Sequence, residues 1–250
     1  MGYVIAMAGK GGTGKTTLAA LLVRLMKEKK IGSILAVDAD PNSNLAEALG
    51  MTLKDTIGQI LDGVAKHPEK IPSGMPKDRF IEYEIQTAIQ EGEGFDVLTM
   101  GRPEGPGCYC YANNVLRNVM GKLIKDYDYV VIDNEAGLEH LSRRTTRKAD
   151  VLLVVSDATF PGLKAAARIS ELAKELEIEI AKRLLIINRS TGEIEKDKIK
   201  GMQLSFLGVI PADKAIEKIS LNGNSMMDLK ADSKALACLG RLGEKIWNKS

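Results

Sequence analysis

Nine consecutive residues combine backbone freedom, two lysines and three hydroxyls: Gly9, Lys10, Gly11, Gly12, Thr13, Gly14, Lys15, Thr16 and Thr17. Gly9 is followed by four residues and then by Gly14-Lys15-Thr16, the spacing of a loop that wraps a phosphate chain. Glycines let successive N–H groups curl around an anion without Cβ clashes. On this reading Lys15 reaches the β- and γ-phosphates, the Thr16 hydroxyl ligates magnesium, and Thr17 offers a hydroxyl to the α-phosphate. The flanks fit. Tyr3 to Ala8 is apolar and partly β-branched, as a buried strand should be, and Leu18 to Met26 reads as a helix whose positive end faces the same anion. A chance glycine turn carrying a lysine would not need this strand–loop–helix setting.

Carboxylates end two further apolar runs. Ser33 to Val37 leads into Asp38-Ala39-Asp40-Pro41, and Tyr129 to Ile132 leads into Asp133, followed by Asn134-Glu135-Ala136-Gly137. Ligands of open α/β sheets bind at the carboxyl ends of the strands, where these groups lie. An apolar strand ending in aspartate suits a magnesium shell, which assigns that role to Asp133. The plainer role for Asp40 or Asn42 is to cap a helix over Ser43 to Leu49. A different chemistry is offered by Cys108-Tyr109-Cys110, which follows the Gly/Pro-rich stretch Gly101 to Gly107. If that segment is extended, the two thiols share one side. Two thiolates are half of a soft-metal site, and two such loops in a homodimer would supply the usual four ligands. The alternatives are two small buried residues or a redox pair; a direct disulfide at this spacing would be strained.

Lys10, directly after the first glycine, gives the string K-G-G-T-G-K-T. It resembles the deviant phosphate loop of the ATPase group that includes the MinD/ParA partition ATPases, the nitrogenase iron protein and metal-cluster maturation factors. The resemblance implies that Lys10 contacts phosphates across a nucleotide-sandwich homodimer. It also implies that D-A-D-P is a first switch, with Asp40 orienting the attacking water and Asp38 near the magnesium shell. Asn134 to Gly137 would be a second switch whose Gly137 N–H senses the γ-phosphate. Asn188, at the end of Leu184 to Ile187, matches the base-reading asparagine of the group, with Arg189 where lysine is usual. Pro211-Ala212-Asp213, after Phe206 to Ile210, matches an adenine-contacting loop, through Pro211 and Asp213. Adenine is favoured over guanine because no Asn-Lys-x-Asp guanine reader is present.

Over nearly its whole length the chain resembles the CooC/AcsF-type ATPases that mature nickel enzymes of one-carbon metabolism. The most specific points are G-K-G-G-T-G-K-T-T, D-A-D-P, the C-Y-C loop and Asp133-Asn-Glu-Ala-Gly-Leu-Glu-His140. The resemblance implies an ATP-hydrolysing metallochaperone, using ATP/ADP and Mg2+, that loads Ni2+ into carbon monoxide dehydrogenase or acetyl-CoA synthase. Cys108 and Cys110 would hold nickel, or zinc at the same site, and His140 would relay the switch or simply pack. Two other classes stay open. One is an iron-protein-like electron-transfer protein with a bridging iron–sulfur cluster; the other is a partition or positioning ATPase that binds DNA or membrane.

The elements that must position these groups alternate along the chain. Helical segments are expected at 18–26, 43–49, 54–66, 78–90, 112–125, 161–176 and 233–247, and strands at 3–8, 33–37, 95–100, 129–132, 151–155, 184–187 and 206–210. This is an α/β pattern: one P-loop NTPase domain over residues 1–250, with a mostly parallel twisted sheet and helices on both faces. The 44% hydrophobic and 27% charged content is ordinary for a globular protein, and a formal charge of +2 is too small to argue for nucleic acid or an anionic membrane. No apolar run approaches a membrane span and the first strand starts at once, so neither an anchor nor a signal peptide is expected. Three cysteines, two of them in C-x-C, are no disulfide framework, and a cytoplasmic setting is expected. His67 is expected to be solvated. Cys238 and the apolar stripe Leu236, Leu239, Leu242, Ile246 and Trp247 of the last helix are expected in the core.

Overall fold

The structure is a computed structural model that describes residues 2–40, 42–101, 110–135, 138, 148–190, 192, 194, 197 and 199–248, without the side chains of 110–116. Strand β1 (Tyr3–Ala8) runs into helix α1 (Lys15–Glu28), then β2 (Ile34–Asp38), α2 (Leu45–Ala48), α3 (Ile57–Lys66) and α4 (Lys77–Thr87). A short hairpin follows, β3 (Gln90–Gly92) and β4 (Phe95–Thr99), and then α5 (Cys110–Asp126) and β5 (Tyr129–Asp133). The rest comprises β6 (Lys148–Ser156), α6 (Phe160–Glu175), β7 (Glu179–Asn188), β8 (Ser205–Ile210), α7 (Lys214–Leu221) and α8 (Lys234–Trp247).

The strands form one sheet in the order β3-β4-β2-β5-β1-β6-β7-β8, parallel throughout except for β3. Every residue of β1 is buried, as a central parallel strand covered on both faces requires. Its side chains alternate between two cores. Tyr3, Ile5 and Met7 join the apolar face of α1 and the last helix, whereas Val4, Ala6 and Ala8 join residues of α3, α4, α5 and α6. Helices therefore cover both faces, as expected. The parallel arrangement brings the carboxyl ends of β1, β2, β5, β6 and β7 to one edge of the sheet.

Helix α8 buries Leu236, Leu239, Ile246 and Trp247, with Leu242 and Cys238 partly buried against the same core. That apolar stripe is core, as expected, and the Cys238 thiol donates to the Val209 carbonyl at 3.1 Å. Among the described residues no helix is long and apolar enough to cross a membrane. His67 is about half exposed and pairs with Glu69 at 3.0 Å.

Several boundaries differ from the expectation. Helix α3 starts at Ile57, not Lys54, because Thr56 and Gln59 form a reciprocal cap, each side chain bonding the other's backbone. Helix α2 starts at Leu45, not Ser43, because Ser43 takes a left-handed backbone (φ 56°). Helix α4 stops at Thr87, and the chain turns through Glu93 and Gly94 to form the β3–β4 hairpin; Gly94 has φ 81°. Helix α7 lies outside the expected helical segments; it is only eight residues long, and it packs Ile216 and Ile219 against the core without burying any residue fully.

Arg24 ties the 226–229 segment to α1. Only 8% exposed, it donates from Nη1 to the carbonyls of Met226 (2.9 Å) and Leu229 (2.5 Å), while Nε meets Glu28 at 2.7 Å. Arg24→Met keeps the aliphatic bulk but leaves two buried carbonyls without their charged donor. The expected loss is roughly 2–3 kcal/mol, read as a lower urea midpoint at unchanged slope. An unchanged midpoint would contradict this role.

Candidate functional site

The loop between β1 and α1 is shaped by close approach. Gly9 lies under the Val155 carbonyl oxygen of β6, and any Cβ there would collide with it. Gly14, at φ 89°, is the N-cap of α1, and a Cβ there would sit 2.5 Å from Asn188 Nδ2. Between them the Lys10 carbonyl accepts from Thr13 Oγ1 (2.9 Å), Thr13 N (3.3 Å) and Lys15 Nζ (3.4 Å). Lys15 is folded inward and only 7% exposed, whereas Lys10 is exposed. No side chain caps α1 and no acidic residue stands in its first turn. The free N–H groups and positive end of this helix are therefore left for an external anion.

Two buried aspartates lie beside the loop. Asp38 and Asp133 are register partners on β2 and β5, and Met7 of β1 is the other register partner of Asp133. Burial pushes the Asp133 carboxyl up to about 6, against the opposing pull of the Thr16 hydroxyl and Lys15. Neither Asp133 oxygen accepts a hydrogen bond of ordinary geometry, although both are buried. A buried carboxylate with open lone pairs, beside a hydroxyl and a phosphate-shaped loop, is the donor set that a hard divalent cation takes. The residues present thus fit magnesium, with Asp133 and Thr16 able to hold it. Asn134 next to it donates Nδ2 to the Met7 carbonyl at 2.9 Å.

Asp38 is pushed up to about 7, first by burial and then by the charge of Asp133, against hydrogen bonds from Leu45 and Asp40. Its Oδ2 accepts from Leu45 N (2.7 Å) and its Oδ1 from Asp40 N (3.2 Å). Asp38 therefore anchors the start of α2, a task expected of Asp40 or Asn42. Asp40 instead holds its own turn: Oδ1 accepts from both N and Nδ2 of Asn42, each at 2.9 Å.

A pocket of about 400 Å³ adjoins the loop, lined by Thr17, Asn188, Arg189, Pro211, Ile216 and Leu221 among others. Asn188 is buried and donates Nδ2 to the Thr13 carbonyl at 2.8 Å. Arg189, which stands where the resembling ATPases usually have lysine, donates Nη1 to the Gly12 carbonyl at 3.2 Å. Asp213 lines the pocket, but its carboxylate is otherwise engaged. Oδ1 caps α7 through Ala215 N (2.8 Å), and Oδ2 accepts from Ser233 Oγ (2.7 Å) and Ala235 N (3.2 Å) at the start of α8. Burial acts to raise its pKa, yet these hydrogen bonds hold it below the usual carboxylate range.

Cys108, Gly137 and His140 lie outside the described residues. Helix α5 begins at Cys110, two residues before the expected start, so strand alternation does not carry through Cys110. Among the described residues no group of three or more His, Cys, Asp or Glu is placed to hold a metal ion.

The raised carboxyls set a pH dependence. Asp38 and Asp133 titrate at about 7 and 6 in the folded chain against roughly 4 unfolded, so the folded state binds more protons between those values. Without magnesium or nucleotide this contribution to stability is present near pH 4–5 and lost as pH rises through 6 to 7. Unfolding midpoints at pH 5 and pH 7.5 should show wild type losing ground relative to Asp133→Asn as pH rises. A constant difference between the two proteins would contradict the assignment.

The chain matches the CobQ/CobB/MinD/ParA nucleotide binding domain over residues 4–226. It is 43% identical to an uncharacterised ATP-binding protein of Methanocaldococcus jannaschii, over 98% of this chain and 99% of the relative. It is 29% identical to the carbon monoxide dehydrogenase accessory protein CooC of Rhodospirillum rubrum, over 97% of each. In fold it is similar to the septum site-determining protein MinD of Pyrococcus horikoshii, solved with Mg-ADP, at a TM-score of 0.73 and 24% identity, over 99% of this chain and 97% of that one. With a phosphate loop between β1 and α1, an aspartate ending β5 and this family match, the chain belongs to the CobQ/CobB/MinD/ParA nucleotide-binding family and is a P-loop ATPase.

Proposed function

We propose that this ATPase is a metallochaperone that loads nickel during maturation of carbon monoxide dehydrogenase or acetyl-CoA synthase. The observation that carries the reading is the Cys108-Tyr109-Cys110 pair, which follows β4 in sequence, with Cys110 opening α5. Similarity to the CooC accessory protein along 97% of both chains supports it. In a homodimer the two C-x-C segments supply four thiolates, a set that suits nickel and also zinc.

ATP sits with its phosphates on the Gly9–Thr17 loop and its base in the pocket beside Asn188 and Pro211. Lys15 and the N–H groups at the start of α1 bind the phosphate oxygens, and Thr17 meets the α-phosphate. Thr16 and Asp133 would hold magnesium, with Asp38 near its shell, and the ion would supply neutralisation of phosphate charge. Asp40 orients the attacking water. Lys10, exposed on its loop, reaches the partner's nucleotide as the dimer closes. The Gly137 N–H registers the γ-phosphate and releases the switch once it is gone. ATP closes the dimer and completes the thiolate site, and hydrolysis reopens it.

A positioning role like that in the name of the MinD relatives would not need the C-x-C pair, and the apolar face of α8 is buried rather than free for a membrane. Anaerobic nickel titration with sizing, beside a Cys108→Ser/Cys110→Ser variant, separates the readings. One nickel per dimer, lost in the variant, is expected. A wild-type protein that binds no nickel, or a brown iron-loaded dimer, overturns the proposal. Separately, Lys10→Ala is expected to bind ATP yet remain monomeric on sizing with ATP. A variant that dimerises as wild type does would remove Lys10 from the dimer contact.

A further inference from the structure

We propose that Arg189 is a positioning residue of the phosphate loop, holding the Gly12 peptide in its phosphate-binding arrangement from outside. Arg189 follows Asn188 at the end of β7, and the two side chains hold consecutive loop carbonyls. Asn188 Nδ2 donates to the Thr13 carbonyl (2.8 Å) and Arg189 Nη1 to the Gly12 carbonyl (3.2 Å). Consecutive side chains of a strand point to opposite faces, so a continuing strand would not bring both to one loop. The backbone resolves this at Arg189, which takes a left-handed φ of 55°. That conformation is unfavourable for a residue with a Cβ, and such strain persists where surrounding contacts demand it.

The loop needs this support. A Cβ placed on Gly11 or Gly12 would meet nothing within 4 Å, and Gly12 has φ 81°. Side-chain packing therefore does not restrain this part of the loop, and glycine is the residue with most freedom to lose. In a trans peptide the N–H lies opposite the C=O. Holding the Thr13 carbonyl turns the Gly14 N–H to the opposite side, and holding the Gly12 carbonyl fixes, together with the Thr13 N–H bond to the Lys10 carbonyl, the plane of the preceding peptide. Arg189 is itself exposed, so its contribution to the core is small. Its effect falls on phosphate affinity through the loop, even though it also lines the base pocket.

The proposal rests on the nucleotide site of the family and is independent of the nickel reading. The test uses Arg189→Gly, which deletes the brace and also relieves the left-handed backbone, so the variant has no steric reason to misfold. Affinities for Mg-ATP and for Mg-tripolyphosphate, which lacks a base, are measured by competition against a fluorescent ADP. Both are expected to weaken by about tenfold or more and by similar factors, with an unfolding midpoint at or above that of wild type. Arg189→Lys, which retains a donor, should recover most of the loss for both ligands. Loss confined to ATP would overturn the proposal in favour of a base contact, and no loss for either would overturn it outright. A tripolyphosphate that fails to compete even with wild type also overturns it, because a loop pre-set from outside must hold phosphate without a base.

Discussion

The near-contact between the phosphate loop and the ends of β6 and β7 is the constraint on which the site depends. Gly9 slides beneath the Val155 carbonyl, and Gly14 lies against the Asn188 amide. A methyl group at either position would push the loop away from the sheet edge. With both glycines in place, β1 hands the chain to α1 with its N-terminus uncapped, and Lys15 and Thr16 both act on the Asp133 carboxyl. The parallel sheet delivers Asp133 to them from the neighbouring strand. The order of strands matters here, because β5 lies between β1 and β2 and brings Asp38 and Asp133 side by side.

That juxtaposition is electrostatically unfavourable in the free protein. Burial does most of the work in raising both carboxyls, the charge of Asp133 adds to the rise at Asp38, and the charge of Asp40 adds to the rise at Asp133. Asp38 is compensated by two backbone N–H donors, whereas Asp133 keeps open lone pairs. The asymmetry divides their tasks. Asp38 fixes the start of α2, and Asp133 is left to a cation. The strain at Arg189 has the same character, a local cost retained beside the loop that it serves.

Much of this was legible in the chain itself. The Gly9–Thr17 spacing is readable because the chemistry needs consecutive glycines and a lysine at fixed offsets. The central strands are readable because they are buried on both faces and so are continuously apolar. Helix α7 was not legible, since it spans only eight residues and buries none of them fully. The β3–β4 hairpin was hidden by its three-residue first strand. The capping role of Asp213 was not legible, because a carboxylate after Pro211-Ala212 looks the same whether it meets a base or caps helices. Its partners Ser233 and Ala235 lie some twenty residues further along. Arg189 gave a partial signal, a departure from the usual lysine, but the left-handed turn that directs it is a property of the folded backbone.

The central claim is that one switch joins the nucleotide site to a thiolate metal site. If so, the two ligands are thermodynamically coupled, and each must change the affinity for the other by the same factor. The most direct measurement is the nickel affinity of the wild-type protein under anaerobic conditions, with saturating Mg-ADP and with a saturating non-hydrolysable Mg-ATP analogue. The account predicts nickel affinities that differ by about tenfold or more between the two nucleotide states. Equal affinities would contradict it, because a nucleotide that does not alter metal binding cannot drive metal loading.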